Sequence, residues 1–87
     1  MIRRQLNFMV RLKNIERNSN IIECDIIPED SIESGHVSVQ IDSKKIENFS
    51  LPNGYEWCRN HVEHARMALL KLVQEDNIPN EKLIMWN

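Results

Sequence analysis

Glycine is scarce in this chain: Gly35 and Gly54 are the only two among 87 residues. That excludes the glycine-rich loops that fold backbone amides around phosphate groups. Cysteine is as sparse. Cys24 and Cys58 lie far apart, one in a strand pattern and one on a helical apolar stripe, so two reduced, buried thiols are expected rather than a disulfide. Long apolar runs are missing too. Those around Ala68–Leu70 and Leu83–Met85 are far short of a membrane span. Near the start, Gln5, Asn7 and Arg11 interrupt the region where a signal peptide would carry its apolar core. A single cytoplasmic domain, residues 1–87, with no bound cofactor is the expectation.

Aromatic residues are few: Phe8, Phe49, Tyr55, Trp57 and Trp86. A sheet that stacks nucleic-acid bases needs exposed rings flanked by basic residues, and both phenylalanines are in phase with core positions. Net charge is −2, which gives no overall attraction to nucleic acid or anionic membrane. The charge is uneven, however. Residues 1–20 carry Arg3, Arg4, Arg11, Lys13 and Arg17 against Glu16 alone, and the next thirty residues are acidic.

What is present is a clear change of period. Leu6, Phe8, Val10 and Leu12 alternate with polar residues, as do Ile22, Cys24 and Ile26, which is the signature of half-buried strands. Arg17-Asn18-Ser19-Asn20 reads as the turn between them. Opposing the two strands with Arg11 facing Asp25, Lys13 facing Glu23 and Ile15 facing Ile21 matches charge on one face. On the other face it sets Val10 against Ile26 and Leu12 against Cys24. A pairing slid to a tighter loop is the alternative, with poorer charge matching.

Pro28 ends the second strand. Val37, Val39 and Ile41 form a third, Asp42–Lys45 a turn, and Lys45–Leu51 a fourth. Ile46 is out of phase with Phe49 and Leu51, which a bulge near Glu47 reconciles. From Glu56 to about Glu75 the period becomes helical. Cys58, Val62, Ala65, Leu69, Leu72 and Val73 share one face, flanked by His61 and Ala68. Asn53 with Glu56 reads as a capping pair, and Asp76-Asn77-Ile78-Pro79 as the stop, with Asn77 left-handed. Glu81–Trp86 is a last short strand, apolar on both faces, and therefore either central or covered. The expected fold is α+β, in the order β-β-β-β-α-β. It has an antiparallel sheet of four to five strands, two hairpins plus the C-terminal strand, with one long helix across one face.

Three functional classes follow from particular residues. Trp57, Met67 and Leu70 fall away from the helix's core stripe and suggest a protein-interaction or self-associating module, with a partner protein or a second copy as the ligand. That non-enzymatic reading is preferred. Arg3, Arg4, Arg11 and Lys13 form a basic strip suited to a nucleic-acid-associated accessory protein. Cys58 and His61, one turn apart at the helix start, suit a thiolate and its base, and His61 with His64 a metal pair. Cys58 at the centre of the apolar stripe argues against the thiol enzyme. His61-Val-Glu-His64 lacks the histidine spacing of the zinc peptidases.

Overall fold

In the computed structural model, which describes residues 8–87, the strands and the helix follow in the expected order. They are β1 (Phe8–Asn18), β2 (Ile21–Pro28), β3 (Gly35–Gln40), β4 (Ile46–Ser50), α1 (Arg59–Leu72) and β5 (Glu81–Trp86). The strands form one antiparallel sheet in the order β4-β3-β2-β1-β5. The helix covers one face. Val10, Leu12, Ile22, Cys24, Ile26, Val37 and Val39 from the sheet meet Val62, Ala65, Leu69 and Leu72 from α1 in a single core. The expected stripe is therefore the buried face of the helix, with Cys58 buried just before it and Val73 half-buried after it.

The first hairpin takes the tighter loop. Leu12 faces Ile26 and Lys13 faces Asp25, whereas Arg11 faces Ile27 and not the expected Asp25. Beyond Lys13 the register shifts again, to Glu16 facing Glu23 and Arg17 facing Ile22. The cause is a bulge at Asn14, held at φ 55, an extra residue that reverses the phase of the strand. The reversal sends Ile15 into the core, not to the charged face where alternation alone places it. Ser19 at φ 56 supplies the positive dihedral that a two-residue hairpin turn requires.

The second bulge is where the out-of-phase isoleucine demands it. Ser38 faces Asn48 and Val39 faces Ile46, so Glu47 is the extra residue and Ile46 packs against the core beside Phe49's side of the strand.

The helix is shorter than its periodicity. Glu56 turns its carboxylate back to the Gly54 N–H at 3.1 Å and Asn53 caps nothing, so Pro52–Cys58 is a pair of tight turns and α1 begins at Arg59. At the other end the bonding tightens to i→i+3 at Gln74 and Glu75, which ends the regular helix at Leu72. Asn77 does not adopt the left-handed conformation, although Ile78 does fold back onto the core. Strand β5 lies at the sheet's edge, not its centre. Ile84 and Trp86 face the helix, and Leu83 and Met85 face outward.

Candidate functional site

The turns before α1 place Trp57 beside the edge of the sheet where β1 begins and β5 ends. Phe8 and Trp86 are ladder partners there, on the helix side, with rings stacked at 5.9 Å and 24°. His61, in the first turns of α1, points down between them. Its ring meets Trp86 at 4.9 Å, Trp57 at 5.5 Å and Phe8 at 6.0 Å, each time edge to face. His64, one turn on, stacks flat on the far side of Trp86 at 3.8 Å. Between Trp57 on one side and the Phe8–Trp86 stack on the other lies a cleft of about 220 Å³, with His61 at its base and Asn60 on its rim.

One carboxylate fixes that base. His61 is only 2% exposed, and its Nε2–H donates to Glu29 Oε2 at 2.6 Å. The same oxygen accepts the Met9 backbone N–H at 3.0 Å, while the Glu29 N–H returns a bond to the Met9 carbonyl. Glu29 achieves this at φ 51, a left-handed conformation that costs a non-glycine residue about 1 kcal/mol. His61 Nδ1 is buried with no partner among the described residues, so Glu29 provides the imidazole's one hydrogen bond.

The thiol chemistry considered from sequence has no support in this geometry. Cys58 is fully buried, and burial, with the Glu29 carboxylate adding to it, pushes its thiol up to about 11. His61 turns its nitrogen to Glu29 and not to the sulfur. Cys24 is likewise buried and pushed up to about 12, chiefly by burial and then by the neighbouring Asp25 and Glu23 charges. No group of three or more His, Cys, Asp or Glu side chains converges as a metal site among the described residues, and His61 and His64 are engaged by the aromatic rings instead. No helix of the described residues is long and apolar enough to cross a membrane.

The basic strip is divided. Arg3 and Arg4 lie outside the described residues. Arg11 is half-buried on the outer sheet face between Ile27 and Leu83, and Lys13 faces Asp25 on one side and Glu81 on the other. The three interaction candidates are also separated. Trp57 walls the cleft, Met67 is exposed on the outward side of α1, and Leu70 is half-buried on the opposite flank beside Ile41 and Lys44. Only Trp57 belongs to the cleft. Trp86, which by sequence could join either the core or such an apolar patch, lines it too. Phe8 and Asn60 line it, and Glu29 supports it through His61, without any sequence signal beyond their type, because the turn at Glu29 and the strand order decide their placement.

A second polar cluster lies on the outer sheet face. His36 Nε2 meets Glu23 Oε1 at 2.8 Å and Nδ1 meets Asp25 Oδ1 at 3.1 Å, while the Asn14 amide donates to Asp25 at 2.8 Å. An imidazole between two carboxylates needs a proton on each nitrogen, which only the cation has. Burial works against that charge, but the hydrogen bonds and charges of Asp25 and Glu23 outweigh it and raise the pKa above 6.5. Asp25 is lowered, first by the Asn14 bond and then by His36. The histidine's contribution to stability is thus fully present below pH 6.5 and disappears as pH rises through the raised pKa. Urea unfolding should show the wild type losing a small increment of stability above neutrality, screened because the side chain is 38% exposed. His36→Gln should lack that slope, and an equal slope in the variant would assign it to another group.

Compared with known proteins, the chain matches no family model, no curated protein and no solved structure at a significant level.

Proposed function

We propose that this chain is a non-enzymatic, cytoplasmic protein-interaction module whose aromatic cleft receives one apolar or aromatic side chain of a partner protein. The observation that carries this reading is that the rings are fixed before any ligand arrives. His61 is tied to Glu29 at 2.6 Å, Trp86 is held between Phe8 and His64, and Trp57 rests against the His61 edge. Rings ordered in advance lose little freedom on binding, and that is how a small contact becomes an energetic anchor. At about 220 Å³ the cleft is smaller than the roughly 300–1,000 Å³ of small-molecule sites and suits a single large side chain. Asn60 on the rim offers a donor and an acceptor to the chain that carries it.

Selection from a displayed random-peptide library tests the reading. Recovered peptides should share one aromatic or large aliphatic position. Because Trp57 is 59% exposed, Trp57→Ala should leave folding intact yet weaken those peptides at least about tenfold, or 1.4 kcal/mol. Peptides that bind the variant equally well, or no enrichment at all, would refute the cleft as an anchor site.

A further inference from the structure

Strand β5 is paired with β1 on one side and with no other described strand on the opposite side. Edges of this kind are ordinarily guarded by proline, a bulge or charge along their length. In β5 the only charges, Glu81 and Lys82, stand together at its start, and no proline or bulge follows. Its outward face carries Leu83 at 52% and Met85 at 58% exposure, adjoining Met9 on β1. On the helix side, a groove floored by Ala68, Leu72 and Ile84 and flanked by Lys71, Glu75 and Lys82 runs beneath the same edge.

The sequence of β5 is complementary to itself. Setting it antiparallel to a second copy about a two-fold axis at Ile84 brings Leu83 opposite Met85 of the second copy on the outward face. On the helix side Ile84 meets Ile84, and Lys82 meets Trp86. Other registers fit worse. An axis at Leu83 puts Glu81 against Met85 and Lys82 against Ile84, charge on apolar. An axis at Met85 shortens the overlap to Ile84–Trp86.

We infer that the chain forms a symmetric homodimer in which β5 pairs with β5 of a second copy about Ile84, joining the two sheets into one. The inference deepens the interaction-module reading by naming one partner, but it uses Leu83 and Met85 and leaves Trp57 aside, so either can fail without the other. One short strand pair with a few apolar side chains is a small interface, and dissociation on the order of 100 μM is expected.

Sedimentation equilibrium from about 10 μM to 1 mM should show a monomer–dimer equilibrium in that range. Leu83→Lys and Met85→Glu alter half-exposed positions, so both variants should stay folded by circular dichroism and each should dimerise at least about tenfold more weakly. Mixed in equal amounts they should recover dimer, because only the Ile84-centred register sets the new lysine opposite the new glutamate. A strictly monomeric wild type, variants that dimerise as well as wild type, or a mixture without recovery would each overturn the proposal.

Discussion

Glu29→Ala is expected to destabilise the protein by about 2–4 kcal/mol, a large effect for a substitution at a loop position. Two donors lose their acceptor at once. One is the backbone N–H of Met9, and the other is the Nε2–H of His61, a ring that is already without a partner at Nδ1. An unpaired donor on a buried ring costs about 1–3 kcal/mol, and this ring is only 2% exposed, packed against Phe8, Trp57 and Trp86. Alanine also inherits the positive φ. Glycine tolerates that dihedral, so Glu29→Gly should be less destabilised than Glu29→Ala by roughly 1 kcal/mol, after allowing for glycine's greater freedom when unfolded. Urea titrations of the three proteins measure both differences. If Glu29→Ala unfolded within 0.5 kcal/mol of wild type, roughly the size of an ordinary surface change, the carboxylate would not be what holds His61.

The second large effect concerns space and not hydrogen bonding. A Cβ placed on Gly35 would lie 2.1 Å from the Ser50 carbonyl oxygen and 2.9 Å from its carbon, both backbone atoms. Here β3 begins where β4 leaves the sheet for the turns before α1, and the two chains cross without room for a methyl group. Relief requires moving a strand end, and overpacking of this kind costs about 3 kcal/mol. Gly54 is the informative contrast. Its φ of +88 disfavours any other residue, but an added Cβ meets nothing within 4 Å, so Gly54→Ala should cost only about 1 kcal/mol. The glycine with the ordinary dihedral is therefore the less replaceable of the two. Thermal unfolding of both variants decides it, and a reversed order would mean that the Gly35 crossing relaxes freely.

These two positions illustrate what could be read from the residues and what could not. Alternation and helical period identify each strand and the buried face of α1, because burial on one side of an element imposes a period. Even the bulge at Glu47 is legible, since Ile46 has to be brought back into phase. The bulge at Asn14 is not. Asparagine can supply a positive φ, but nothing local says that the chain uses it at Asn14 and not in the nearby turn, and without the bulge the charge-matched register follows. Matching surface charges contributes only fractions of a kcal/mol per pair, too little to outweigh the burial of Ile15. The helix start departs from its sequence signal for a similar reason: the Glu56 carboxylate accepts the Gly54 N–H and closes a turn there in place of a capping box.

The cleft was legible in part. Trp57 stands out because it is apolar and off the core stripe. His61 reads as a flank histidine until Glu29, thirty-two positions earlier, is seen to face it. That contact depends on the left-handed turn after Pro28 and on β1 lying between β2 and β5. Both are tertiary decisions, made by the sheet order and not by any segment alone. The same order puts β5, apolar on both faces, at an edge, which is the observation behind the proposed pairing with a second copy.

As proposed, the cleft takes a planar apolar group without rearranging. Free indole is the simplest probe, titrated into isotope-labelled protein while amide and side-chain resonances are followed. Saturable shifts are expected, with millimolar affinity on the order expected for so small a ligand, at Trp57, Asn60, His61 and Trp86, lost in Trp57→Ala. Shifts scattered over the surface, or none at these four residues, would contradict it.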